Sequence, residues 1–398
     1  MGRINLIFIT LFMLIIGSCA PQQDIRPRQS PFDPYNNTGQ SSNVLSPIPA
    51  PSQQPQQNAT QANGRVALLL PLSGAQSPLG KSMLNAAQMA LFDVNDPSFT
   101  LVPIDTKGTP QGASAAVQKA ASMNVSLILG PLLSTSVQAA GRTASRYNLN
   151  LVSFTTNASA IGGNIMTLGI LPSDQGARLA DFALKNNLRR VAVVTSNDAF
   201  SKIVTDAFLK NARANNIQIT QNITLDSRRD AVAVAQTLKN ARASYDAIMI
   251  PFGNPDIAIL AQALGAQQLS PANVPWLGTG VWEDQAIKNN PIMANAYFTA
   301  PSAQLRQNFE QNYASIYSEK PQRLASLAYD AVALSVILLR QNQGQRISTT
   351  ALLNPNGFSG IDGIFRFQQS GQVERGLAIH RITSLGRSTI IEQAPSSF

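Results

Sequence analysis

The chain has 398 residues, with 44% hydrophobic and 13% charged side chains, a composition that fits a globular protein with room for more than one domain. One cysteine, Cys19, rules out an internal disulfide, and one histidine, His380, leaves no plausible zinc site. The formal net charge of +9 is moderately basic, and the pairs Arg189-Arg190 and Arg228-Arg229 read as solvated surface with no specific contact.

In chain order, Arg3 is followed by an apolar stretch, Leu6 to Ile16, broken only by Thr10, and then by Ile16-Gly17-Ser18-Cys19. About 20 apolar residues are needed to cross a bilayer, so this stretch is too short to remain as a span. It resembles a bacterial lipoprotein signal peptide with its lipobox. The resemblance implies removal of residues 1–18 and lipid attachment at Cys19, whose acyl chains would each add about 0.8 kcal/mol per buried methylene. Ala20, where lipoproteins retained at the inner membrane typically carry Asp, implies the periplasmic face of the outer membrane. An exported chain does not meet nucleic acid, so a nucleic-acid partner is excluded.

Residues 19–64 are dominated by Pro, Gln, Asn and Ser. Such a segment buries too little apolar surface to offset its chain entropy and reads as a lipid-anchored disordered tether. As a coil it would span about 35 to 40 Å, and fully stretched roughly 140 Å.

From residue 65 short apolar runs alternate with amphipathic stretches. Val66 to Leu70 reads as a strand, Lys81 to Val94 as a helix, and Leu101 to Ile104 as a strand. Leu127 to Leu129, Leu149 to Phe154, Val191 to Val194 and Ala247 to Ile250 continue the series. Runs apolar on both alternations belong to strands covered on both faces, which predicts α/β architecture with parallel sheets. A break at Leu171-Pro172-Ser173-Asp174, followed by a helix over Gln175 to Asn186, predicts two lobes. Ligands of such sheets bind outside the carboxyl ends of the strands, hence in a cleft between the lobes.

Several segments, in this order, resemble the type I periplasmic binding proteins related to branched-chain amino acid receptors. They are Val66 to Gly74 with Gly80, Asp105-Thr106, Leu129-Gly130-Pro131 with Ser134, Ser153, and Asp174-Gln175-Gly176. Tyr245-Asp246-Ala247, Ala328 to Ala331 and Phe358 to Gly363 complete the series. The resemblance implies a two-lobed fold with three crossovers, each lobe a parallel sheet flanked by helices. Lobe one would hold 65–171 and 300–345, and lobe two 172–299 and 346–398. It also implies that Ser134 with Thr155, Thr156 or Asn157 faces a ligand carboxylate and that Asp256 lies near its ammonium. Ser73 joins these as a cleft-lining candidate. Leu79 replaces a common aromatic lid, and Phe200 stands where tyrosine is frequent.

The lipobox, the tether and the opening Val66 to Gly74 most resemble the penicillin-binding protein activator lipoproteins of the LpoA type. Those proteins also carry an N-terminal helical-repeat domain, for which residues 20–64 leave no room, so the resemblance covers only their C-terminal part. It implies a non-enzymatic activator of a bifunctional penicillin-binding protein in peptidoglycan synthesis. The alternative is a lipid-anchored receptor delivering amino acids or small amides to an ABC importer, with a small-molecule ligand in the cleft.

Catalysis has little support in the residues. His380 lies in Leu377 to Ile382, which reads as a strand, and no Gly-x-Ser-x-Gly elbow occurs. Ala75 to Ser82 matches a relaxed phosphate-loop pattern, but its first glycine is Ala75, and Pro78 removes an amide donor. No catalytic residue, metal ligand or cofactor is expected.

Overall fold

The computed structural model describes residues 64–398. The expected signal peptide, Cys19 and the tether lie outside the described residues, apart from Gly64, which opens the first strand.

The first sheet contains β1 (Gly64–Leu70), β2 (Phe99–Asp105), β3 (Leu127–Leu129), β4 (Leu151–Ser153) and β5 (Ile165–Thr167). All pair in parallel in the order β2-β1-β3-β4-β5. The connections hold α1 (Ser77–Val94), α2 (Pro110–Ser122) and α3 (Ser134–Ser145). β1 shows why the apolar runs are continuous. Val66, Leu68 and Leu70 enter one core, and Ala67 and Leu69 enter another on the opposite face. The period of two thus distributes one uninterrupted hydrophobic strand between two helical layers.

The second lobe begins with α4 (Pro172–Lys185), β6 (Arg190–Ser196), α5 (Ala199–Ala214), β7 (Gln218–Leu225) and α6 (Ala231–Asn240). It continues through β8 (Ala247–Met249), α7 (Asp256–Ala266), β9 (Trp276–Gly278), α8 (Gln285–Lys288) and β10 (Tyr297–Ala300). Along β6, Ala192 and Val194 face one core while Val191 and Val193 face the other. α4 starts three residues earlier than the sequence pattern suggests because Pro172 occupies its first turn, where a missing N–H is harmless.

The chain then returns to lobe one. α9 (Ala303–Tyr317) and α10 (Ala325–Gln341) place Phe309, Tyr313 and the largely buried face of α10 against the first core. α11 (Thr349–Leu352) follows, then an antiparallel sheet of β11 (Phe358–Gly360), β12 (Gly363–Phe367) and β13 (Val373–Arg375). β14 (Ala378–Ile382) and β15 (Ser388–Glu392) finish the seven-stranded second sheet, ordered β15-β14-β10-β9-β8-β6-β7.

Two expectations are corrected here. Residues 346–375 do not join lobe two, because Ile347, Leu352, Ile361, Phe365, Phe367 and Val373 all enter the lobe-one core. Only the segment from β14 onward belongs to the second sheet. That sheet is also not wholly parallel: β14 runs antiparallel to β10 and to β15, and the short turn from Thr383 to Arg387 makes β14 and β15 a hairpin. The chain therefore crosses between lobes after β5, after β10 and after β13.

Candidate functional site

The candidate residues occupy the carboxyl ends of strands in both sheets, where open parallel sheets present their crevice. Ser73 follows β1, Ser134 opens α3 after β3, and Thr155 to Asn157 follow β4. Phe200 lies in the first turn of α5 after β6, and Asp256 opens α7 after β8.

The polar atoms of Ser73, Thr155, Asn157 and Asp256 are engaged with the protein itself. Ser73 Oγ donates to Asp105 Oδ2 at 2.6 Å, while the Leu72 and Lys107 N–H groups donate to Asp105 Oδ1 at 2.9 and 2.8 Å. Burial pushes the Asp105 carboxyl up, but these hydrogen bonds outweigh it and hold the group below its ordinary value. Thr155 is buried, and its hydroxyl accepts from the Asn157 N–H at 3.1 Å. Asn157 Oδ1 in turn accepts from the Ser159 N–H and hydroxyl, capping a short helical turn. Thr156 is exposed, and Ser134 is half-buried at a helix start. Leu79 packs against the lobe-one core.

Asp256, expected near an ammonium, is paired with Arg228 at 2.6 Å. Arg190 likewise binds Asp246 at 2.7 Å, so each Arg-Arg pair stays exposed, but one member of each makes a specific ion pair that the sequence reading did not expect. Gly80 also has a structural reason unconnected with phosphate. A Cβ there would meet the Pro71 carbonyl oxygen at 2.1 Å, so glycine lets α1 approach the end of β1. His380 is buried on β14, stacked on Phe298, with Nε2 3.1 Å from the Pro301 carbonyl oxygen. Burial lowers its pKa, which favours the neutral ring.

Of the candidates, only Phe200 lines the cavity between the lobes, which has a volume of about 530 Å³. Its walls include Ile170, Val281, Leu324 and Leu377. Ile170, Pro301 and Leu377 come from the three crossovers, so the cavity lies on the hinge side of the interlobe space. Sequence reasoning missed its polar members, Gln175, Glu283, Asp284, Thr299 and Arg323. Gln175 stood inside the motif Asp174-Gln175-Gly176, but Thr299 and Arg323 give no local signal because tertiary folding alone brings them together.

Beside this cavity lies a buried charge cluster. Asp362 is fully buried and binds Arg306 at 2.5 Å, Ser326 at 2.6 Å and Arg323 at 3.4 Å. Burial alone would raise its pKa, yet Arg323 and Arg306 hold it at about 2. Arg323 also reaches across to Glu283 of lobe two at 3.6 Å. Arg375, on β13, donates to the Leu168 carbonyl oxygen of the first crossover at 2.7 Å. Asp330 accepts from the Ile361 N–H at 2.8 Å, and burial, reinforced by Asp362, pushes it up to about 7. Asp174 is also pushed up to about 7 by burial, against the pull of Arg375.

The two facing α/β lobes, three crossovers and hinge-side cavity define a bilobal binding protein of the type I periplasmic class. The family model described as "Periplasmic binding protein" matches residues 64–387, and the chain belongs to that family. Among solved structures, a putative branched-chain amino acid ABC transporter protein from Rhodospirillum rubrum is 19% identical with a TM-score of 0.76, covering 82% of this chain and 99% of that one. LivJ from Streptococcus pneumoniae in complex with isoleucine is 20% identical with a TM-score of 0.58, covering 84% and 100%. The LpoA C-domain from Haemophilus influenzae, a regulator of PBP1A, is 16% identical with a TM-score of 0.66, covering 82% and 100%. No curated protein matches the chain. Among the described residues no helix is long and apolar enough to cross a membrane, and no cluster of His, Cys, Asp or Glu could hold a metal ion.

Proposed function

We propose that this chain is a non-enzymatic lipoprotein regulator, anchored through Cys19 at the periplasmic face of the outer membrane, that binds and activates a bifunctional penicillin-binding protein. The observation that carries the reading is the state of the residues an amino-acid receptor would need. Of the residues the resemblance assigns to a ligand, Thr155 accepts from the Asn157 N–H, Asn157 caps a turn, and Asp256 is paired with Arg228; Ser73, a cleft-lining candidate, is bound to Asp105. A zwitterion would have to displace these contacts; a neutral hydrogen bond is worth about 0.5 to 1.5 kcal/mol, and the Arg228–Asp256 pair, exposed on both sides, about 1 kcal/mol or less. The similarity to the LpoA C-domain supports the same reading at the level of fold. Activation then requires that the chain bind the active state of its target more tightly than the inactive state.

The test is reconstitution of the full lipidated chain with a bifunctional synthase, following polymerisation of lipid-linked precursor. A saturable rise in rate, lost on omission of the chain, supports the proposal; an unchanged rate with no detectable complex refutes it. The hinge-side cavity favours a second reading, an importer receptor for a small molecule other than a free amino acid.

A further inference from the structure

We infer that a basic groove on the flank of lobe one, between α3 and the start of β5, docks an extended acidic segment of a protein partner, one that carries two carboxylates around an apolar side chain. The inference goes beyond the proposed function, since it holds whichever protein supplies that segment.

The groove has a volume of about 650 Å³, and every residue lining it belongs to lobe one. Arg142, Ser145 and Arg146 come from the end of α3, and Ser159, Ala160 and Ile161 come from the short helical turn Ala158–Ala160 and the residue after it. Gly141 lets these two sides close on each other, because a Cβ there would lie 2.1 Å from Ile165 Cδ1. Ile161 and Ile165 are half-buried and give the groove an apolar surface. Gln138, Arg142, Ser145, Arg146 and Ser159 are exposed, so the groove is open to solvent and suits a segment of a macromolecule better than an engulfed small molecule.

The charges select the sign of the occupant. Among the described residues neither Arg142 nor Arg146 has a hydrogen-bond or ion-pair partner. No acidic residue occurs from Thr106 to Ser173, a stretch that holds α2, α3, β3, β4 and β5 and the bases Lys107, Lys119, Arg142 and Arg146. Arg346 adds a third guanidinium at the end of α3, its Nη1 donating to the Tyr147 carbonyl oxygen at 2.8 Å. The last turn of a helix favours positive charge, which accounts for Arg142 but not for the lack of any acid on the elements around it. Unopposed charge of one sign along a groove attracts the opposite sign.

The spacing selects its shape. Four residues along a helix advance about 6 Å, and two residues along an extended segment about 7 Å. Carboxylates at alternate positions of an extended peptide therefore come opposite Arg142 and Arg146, while the side chain between them points the other way, towards Ile161. A flat anionic membrane meets the guanidiniums but not the apolar surface between the two sides, so a peptide uses more of the groove. Nowhere in the 398 residues are two acids separated by a single residue. Neither the segment before Gly64 nor a second copy of the chain offers the pattern, and the occupant is a different protein.

The test uses the full chain in detergent at low salt and labelled peptides read by fluorescence anisotropy. The probe is Gly-Glu-Leu-Glu-Gly, with Gly-Gln-Leu-Gln-Gly and Gly-Glu-Gly-Glu-Gly as controls and sn-glycerol 3-phosphate as the anion of a lipid headgroup. The probe should bind saturably and more tightly than all three. Arg142→Ala and Arg146→Ala should each weaken it about fivefold, the upper value for an exposed ion pair. Ser145→Trp, at an exposed position of α3, fills the groove and should abolish binding even if the arginine variants fold poorly. The proposal is overturned if the probe does not bind at millimolar concentration, or if either control peptide or the phosphate binds as tightly. It is equally overturned if Ser145→Trp or the double arginine variant leaves binding intact. Synthase activation is read in a separate assay, so either result can fail alone.

Discussion

Replacing Asp330 with asparagine should flatten the pH dependence of stability on the neutral side. Asp330 is fully buried, and its carboxyl is pushed up to about 7 from 3.8, first by burial and then by Asp362, while Arg375 and the Ile361 and Asp362 N–H groups pull it down. Below about pH 4 the group is protonated in both folded and unfolded chains. Between about 4 and 7 the unfolded chain releases the proton while the folded chain keeps it, so stability falls as pH rises, and above about 7 the penalty is constant. Three pH units at roughly 1.4 kcal/mol each set an upper bound of about 4 kcal/mol. Asp362 acts in the opposite sense. Held at about 2, it contributes stability above the ordinary carboxylate value that is lost as pH falls towards 2. Asp330→Asn keeps an oxygen to accept from the Ile361 N–H while removing the ionisation. Urea unfolding midpoints at about pH 5 and about pH 8 should therefore differ less in the variant than in the parent chain. An identical difference in both would refute the reasoning, since the burial of Asp330 would then carry no titration.

Two further substitutions probe the frame around the site. Asp362→Ala leaves Arg306 and Arg323 without their shared buried partner and should destabilise the chain by about 3 to 5 kcal/mol in urea unfolding; a loss below about 1 kcal/mol would mean that the cluster is solvated. Gly176→Ala places a methyl carbon 2.2 Å from the Val204 carbonyl oxygen, where α4 packs on α5. It should lower stability by about 1 to 3 kcal/mol or more, and an unchanged midpoint would show that the helix pair separates freely.

The fold was legible in the sequence because its strands are short and apolar on both faces. Val66 to Leu70 and Val191 to Val194 are recognisable as buried strands without any knowledge of what covers them. Segment 346–375 was not assignable in the same way. Its apolar residues, Phe365 and Phe367 among them, alternate as in any half-buried hairpin, and nothing local says which of two cores they enter. Site geometry was less legible for a related reason. Sequence order placed Ser73, Ser134, Thr155 and Asp256 at strand ends, but not whether their polar atoms were free. Asp105 and Arg228, distant in sequence, decide that.

The hinge cluster explains why the informative residues gather near the crossovers. A chain that passes between lobes three times must bury polar backbone there, as at Leu168, whose carbonyl accepts from Arg375. Placing a guanidinium at that point obliges the fold to supply counter-charge, and Asp174, Asp330 and Asp362 all act on Arg375. Once those acids are buried, Asp362 requires Arg306 and Arg323. Arg323 then extends the cluster across the interlobe space to Glu283, the residue that gives the cavity its acidic character. Lobe rotation therefore cannot be electrically silent. Any motion that lengthens the contact between Arg323 and Glu283 returns Arg323 to Asp362 and separates Glu283 from its positive partner, so the angle between the lobes sets the charge balance of the cluster.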